Sequence, residues 1–211
     1  MRLRRIKGTE EKLYAYTDYV IENPSELKGK WSEYFANDNP IYIELGCGKG
    51  NFITQNALRN KNVNYIAMEK AAEVIIKAVQ KADNLKLDNV KFCHFNVNDI
   101  LDVFEENELS RIFINFCDPW HKKRHYKRRL TYRGYLEMYK DILNDDGWLH
   151  FKTDNNPLFE FSLNEFVDTN LKIRNISLDL HKEENDWNIM TEYEAKFHSK
   201  GMPIYRCEIK F

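Results

Sequence analysis

Ile41-Tyr42-Ile43-Glu44-Leu45-Gly46-Cys47-Gly48-Lys49-Gly50-Asn51 begins as a β-branched and aromatic run and breaks into a glycine at every second position. The first half reads as a buried strand opened by Pro40, the glycines as a tight turn, and the residues to about Leu58 as a short helix. Outward from this unit the same alternation repeats. Residues 64–68 predict a second strand closing on Glu69, and Ala71, Val74, Ile75, Ala78, Val79 and Ala82 mark one face of a helix. Residues 90–95 predict a third strand ending at Asn96, then a short helix over 99–104 and a fourth strand over 112–116. Tyr132, Tyr135, Leu136, Tyr139 and Leu143 have helical spacing, residues 144–147 (Asn-Asp-Asp-Gly) read as a turn, and 148–153 as a fifth strand ending at Asp154. Asn156 is expected to cap a helix opened by Pro157. Strands six and seven are expected over 171–180 and 204–211, joined by a polar connection without a helix. The pattern predicts an α/β fold: a doubly wound, mostly parallel seven-stranded sheet with an antiparallel C-terminal strand pair. Residues 40–211 form the expected domain. Residues 1–39 are a polar, aromatic-rich lead-in with a helix near 9–20, and a basic tip suited to an anionic partner or to fraying.

A second stretch has two halves of opposite character. Ile112 to Phe116 is β-branched and aromatic, and Asp118-Pro119 stops it, since proline cannot donate to a strand ladder. From His121 to Arg133 there are seven Lys or Arg and no acid. The whole chain carries −1, which leaves −8 for everything outside this segment. A charge run is often only a solvated face. This one follows a strand end, where open α/β sheets place ligands, and it interleaves Trp120, His125, Tyr126 and Tyr132, which can stack on bases. His121 and His125 have metal-ligand spacing, but five surrounding cations repel a metal, so no metal is expected. Cys117 reads as a small buried hydrophobe rather than a nucleophile.

Composition bounds the rest. The chain has 211 residues, 43% hydrophobic and 31% charged, which suits a water-soluble protein with a sizeable core. No window is apolar enough to predict a membrane span. Met1-Arg2-Leu3-Arg4-Arg5-Ile6-Lys7 is basic with no apolar stretch behind it, unlike a secretory signal. Cys47, Cys93, Cys117 and Cys207 are scattered, as expected of reduced thiols in a cytoplasm.

The glycine loop limits its ligand. The spacing is neither the dinucleotide G-x-G-x-x-G nor a P-loop. Glu44 sits two residues before the first glycine, where a carboxylate repels a pyrophosphate and tolerates a cation. S-adenosylmethionine, with an ammonium and a sulfonium, fits. Glu69 is placed for ribose hydroxyls, and Asn96 for the adenine amino group.

These motifs together resemble the bacterial tRNA (guanine-46-N7)-methyltransferase family. The residues that carry the resemblance are 43–50, 115–125 with Lys127-Arg128-Arg129, Lys152-Thr153-Asp154-Asn155, and 191–197 (Thr-Glu-Tyr-Glu-Ala-Lys-Phe). The resemblance implies a Rossmann-like class I methyltransferase fold and a guanine of the tRNA variable loop as target. It implies donor contacts by Glu44, Gly46, Gly48, Glu69, Asn96 and Asp118, with Asp118 also catalytic. Asn96 stands where the family has Asp. It further implies substrate contacts by Lys122, Asp154, Thr191, Glu192, Tyr193 and Glu194, and RNA contacts by Arg124, His125, Tyr126, Lys127, Arg128 and Arg129. Asp154 and Glu194 are expected to accept from the guanine N1–H and amino group, in a cytoplasmic monomer or homodimer. Three other readings stay open on the residues alone. One is a methyltransferase acting on an exocyclic amine, suggested by Cys117-Asp118-Pro119-Trp120 although Trp120 replaces a second proline. The others are a non-catalytic RNA-binding module and a small-molecule methyltransferase.

Overall fold

Strand periodicity and strand burial agree closely in the first half of the chain. The structure, a computed structural model, describes residues 6–183 and 185–211. The basic tip expected at residues 1–5 lies outside them. The chain falls into two compact units, one ending at Phe104 and the other starting at Glu105.

The first unit contains α1 (Thr9–Tyr14), β1 (Val20–Ile21), α2 (Trp31–Phe35), β2 (Ile41–Leu45), α3 (Asn51–Arg59), β3 (Asn64–Met68), α4 (Ala72–Asn84) and β4 (Val90–Cys93). Its strands run parallel in the order β1-β4-β3-β2, with Ile43 opposite Ile66 and Tyr65 opposite Val90. All five residues of β3 are buried, as expected of a parallel strand covered on both faces. The lead-in is part of this core: Leu13, Tyr19 and Val20 pack in one cluster with Ile75, Ala78 and Val79 of α4. Trp31 is fully buried, donates from Nε1 to the Val103 carbonyl at 3.0 Å and stacks on Phe104. The helix expected near 9–20 is shorter, ending at Tyr14. The residues behind it form β1, an eighth strand too brief to show a period. The helix expected over 99–104 is a 3-10 turn at Val97–Asp102 with Asp99 off helical geometry.

The second unit contains β5 (Leu109–Asn115), a 3-10 turn (Lys123–Arg128), α5 (Arg133–Ile142), β6 (Leu143–Thr153), α6 (Asn156–Asp168), β7 (Lys172–Ser177), α7 (Glu192–His198) and β8 (Tyr205–Lys210). Its strand order is β5-β6-β8-β7, with β5 and β6 parallel and β8 antiparallel to both neighbours. The expected antiparallel pair is therefore present, but β8 lies inside and β7 outside. Residues 144–147, expected as a turn before the strand, belong instead to β6, which starts at Leu143 and is irregular there. Leu109 opposes Leu143 and Arg111 opposes Trp148, so the four residues loop out opposite Ser110, whose hydroxyl accepts from Asn144 Nδ2. The cap of α6 is Asn155, one residue earlier than expected, and its side chain accepts from Leu158 N. The connection before β8 is not wholly irregular, because it contains α7.

Gly50 ties the loop after β2 to α4. Its φ is +78°, and an added Cβ would lie 2.4 Å from the Ala78 Cβ. Gly50→Ala is expected to lower stability by about 2–4 kcal/mol, from overpacking and from a left-handed alanine. Urea denaturation should show part of that loss returned by adding Ala78→Gly; no recovery would place the cost elsewhere.

Candidate active site

In the first unit the site is a backbone construction. Gly46, Gly48 and Gly50 all have positive φ, and Gly46 N and Cys47 N both donate to Met68 O. A Cβ at Gly46 or Gly48 would meet nothing within 4 Å, unlike one at Gly50. The loop thus packs on α4 through its last glycine and keeps open space beside the first two, as a backbone cradle for a ligand requires. Glu69 curls back to this loop. One carboxylate oxygen accepts from Gly48 N at 3.3 Å, the other from Ala71 N at 3.1 Å. Each oxygen keeps lone-pair capacity for a hydroxyl. Glu44 is 1% exposed on β2. A carboxylate at that depth favours a cationic ligand over an anionic one. These features fit S-adenosylmethionine. Asn96 is exposed and caps the following 3-10 turn, its side-chain oxygen accepting from Asn98 N. Sequence reading missed His94. Its Nε2 meets the Lys70 carbonyl at 3.1 Å, which makes it the protonated nitrogen, so Nδ1 accepts from the Tyr14 hydroxyl at 3.4 Å. Burial, with nearby Glu10 and Glu22, raises the Tyr14 pKa and keeps it a donor. The lead-in therefore reaches the residue that follows Glu69.

In the second unit β5 ends in a strained segment. Phe116 and Trp120 are both left-handed, with φ of 54° and 43°, and Asp118 stands exposed between them. Burial first, then Asp118, pushes the Cys117 thiol up to about 12, which removes it as a nucleophile. The seven cations that follow divide into two groups. Lys122, Lys123, Arg124, Lys127 and Arg128 are exposed. Arg129 turns inward instead. Its Nε donates to Pro119 O at 3.0 Å, its Nη2 to Trp120 O at 3.3 Å, and its guanidinium lies over the Phe161 ring. Arg133 forms a bidentate pair with Glu165 and also reaches Asp168. Arg129 so holds the strained segment in place, a structural job that the sequence reading had not given it. Arg128 lies over the Trp120 ring, which meets His125 edge-on, while Tyr126 meets Tyr132 edge-on. Desolvation, then Arg128, Arg124 and Lys122, hold the His125 imidazole below its ordinary value.

The motif Lys152-Thr153-Asp154-Asn155 sorts by direction. Lys152 is buried, and its Nζ donates to Glu194 Oε2 at 2.7 Å, Asn188 Oδ1 at 3.1 Å and Ile189 O at 3.2 Å. Thr153 accepts from Asn155 N, and Asn155 caps α6. Asp154 is half-buried, and burial raises its pKa. Its charge also helps raise that of Tyr193, so the two groups lie within electrostatic reach.

Glu194 differs from the expectation of a guanine contact. It is fully buried, and its two oxygens accept from Lys152 Nζ, Thr191 N, His181 Nε2 and Asn188 Nδ2. Four donors use the acceptor capacity of a carboxylate. Thr191 completes a capping box by accepting from Glu194 N at 2.9 Å. Of the four residues 191–194, Tyr193 is the exposed one, at 45%, and its ring lies 5.1 Å from that of Phe116. The structure therefore groups Phe116, Asp154 and Tyr193, and places Glu194 beneath them as a hub.

A family model described as "Putative methyltransferase" matches residues 38–207. A protein from Clostridioides difficile (strain 630) named tRNA (guanine-N(7)-)-methyltransferase is 58% identical over all 211 residues and 99% of its own length. One of the same name from Bacillus subtilis (strain 168) is 46% identical over the whole chain and 99% of its own length. Among solved structures, an antibiotic related methyltransferase aligns with TM-score 0.60 at 20% identity, covering 86% of this chain and 92% of that one. A SAM dependent methyltransferase from Aquifex aeolicus aligns with TM-score 0.57 at 15% identity, covering 94% and 96%.

Lys152→Met strands the buried Glu194 charge and is expected to cost about 3–5 kcal/mol. Denaturant titration should show that adding Glu194→Gln restores part of it, since an amide strands no charge. A double variant as unstable as the single one would deny the pair this role.

Proposed function

This chain belongs to the tRNA (guanine-N(7)-)-methyltransferase family, and on that footing we propose that it transfers a methyl group from S-adenosylmethionine to N7 of guanine 46 in the variable loop of tRNA. The observation that carries the reading is the end of β5: exposed Asp118 in a strained segment, followed at once by five exposed cations. A polyanion held by the cations would present a base to the carboxylate.

Guanine N7 carries a free lone pair, so the site needs no general base. When bound, S-adenosylmethionine supplies an electrophilic methyl group. The chain's own residues then position and stabilise. The backbone of Gly46 and Gly48 cradles the donor, Glu44 favours its positive charge, Glu69 accepts from its ribose, and Asn96 accepts from its adenine. Asp118 touches the reacting groups and favours the positive charge that appears on the purine. Asp154 accepts from the guanine N1–H and amino group, with Lys122, Thr191, Glu192 and Tyr193 around it. Glu194 acts by holding these residues. The guanine must leave its stack to reach the donor, at a cost of a few kcal/mol. Arg124, His125, Tyr126, Lys127 and Arg128 meet the RNA, and Arg129 fixes the segment they follow. We place the reaction in the cytoplasm; among the described residues no helix is long and apolar enough to cross a membrane.

Asp118→Ala is expected to abolish 7-methylguanosine formation, measured by nucleoside mass spectrometry, with tRNA affinity within a few-fold of wild type. Near-normal turnover would remove Asp118 from the chemistry. A tRNA with 7-deazaguanine at position 46 should bind and accept no methyl group there. Methylation of it at an undiminished rate would point to an exocyclic amine, and a methyl group on another guanine would refute the position.

Arg128→Ala should lower the slope of log K against log salt by roughly 0.7–0.9, the value of one phosphate contact. Arg129→Ala should instead lower the melting temperature and turnover through the loosened Pro119-Trp120 segment. Equal slopes for wild type and Arg128→Ala would make the run a solvated face.

A further inference from the structure

Beyond Tyr193, the outer face of α7 has no part in the chemistry described above, and its composition is unusual for a solvated helix. Tyr193 and Phe197, at i and i+4, stack with ring centroids 4.3 Å apart and planes 23° apart. Phe116 extends the series on the inner side, so a column of three rings runs outward from the residue two before Asp118. Its outer end is cationic. Lys196 and Lys200 are exposed, with Nζ 5.8 Å and 5.3 Å from the Phe197 centroid. The helix has its own fastening in the Thr191–Glu194 capping box and the buried ion pair. Partly exposed stacked rings are not needed to hold it.

We propose that this face is a stacking platform for an unpaired tRNA nucleotide next to the methylated guanine, with Lys196 and Lys200 meeting its phosphates. This rests on the reading of the chain as a tRNA methyltransferase. Extruding the target guanine leaves its neighbours without a stacking partner. Aromatic faces accept any base, and lysines flanking them match the charge of the backbone. The exposed rings begin at the strand end that receives the guanine, so the neighbour it leaves behind is the base within reach.

The test measures tRNA and donor affinity separately. Phe197→Leu keeps an apolar side chain and removes the stacking face. It is expected to weaken tRNA binding roughly 5- to 150-fold and leave the dissociation constant for S-adenosylmethionine unchanged. A tRNA made abasic at the nucleotide on one side of guanine 46 should lose the same factor with the wild type and nothing further with Phe197→Leu. Lys200→Gln, which leaves the rings in place, should lower the salt slope by roughly 0.7–0.9, and this arm decides if Phe197→Leu fails to fold. Wild-type affinity and slope in both variants, or abasic losses on both sides that simply add to that of Phe197→Leu, would overturn the platform while 7-methylguanosine formation by the wild type keeps the underlying reading. A wild type that methylates no tRNA overturns both.

Discussion

The second unit depends on one buried carboxylate. Glu194 gathers a lysine from β6, a histidine and an asparagine from the connection before α7, and the first amide of the α7 cap. An isolated charge at this depth would cost several kcal/mol, so each of these partners is obligatory rather than decorative. The same contacts fix where Asp154 and Tyr193 point, since Asp154 is two residues from Lys152 and Tyr193 one from Glu194. The buried ion pair contributes more to the geometry of the exposed groups than to net stability, because desolvation offsets most of its Coulombic gain.

Charged residues throughout the chain divide between holding and facing. Arg129 and Arg133 are spent on carbonyls and carboxylates of the fold, while Lys122, Lys123, Arg124, Lys127 and Arg128 face solvent. Among acids, Glu194 and Glu165 hold, and Asp118 is exposed. Glu69 does both, bracing the glycine loop with lone-pair capacity to spare. This division explains how a chain near neutrality presents a strongly cationic turn.

Much of this was legible in the sequence. Parallel strands buried on both faces show as unbroken apolar runs, so β2, β3 and β5 were plain, and three alternate glycines announced the loop. Residues whose role is set by distant partners were not legible. Nothing local distinguishes Arg129 from Arg128, or says that Glu194 meets Lys152 across 42 residues. His94 was silent for the same reason, since both its partners come from other elements. β1 has two residues, too few for any period, and β8 enters the middle of its set by pairing that sequence order does not encode. One signal was available and unused: Thr191-x-x-Glu194 is a capping box, which would have predicted α7 and turned Glu194 toward the backbone.

The position of β8 has a consequence for how the protein is made. β6 and β7 precede it in the chain, yet each finds its antiparallel partner only in β8. While a ribosome is still adding residues before Tyr205, β6 and β7 have open edges on the sides that β8 will fill, and Lys152 waits in a strand that is not yet paired there. The first unit, whose strands pair among themselves, can form earlier during synthesis. The nascent chain therefore passes through a stage in which the second unit carries bare strand edges, the state in which such a protein most needs a chaperone.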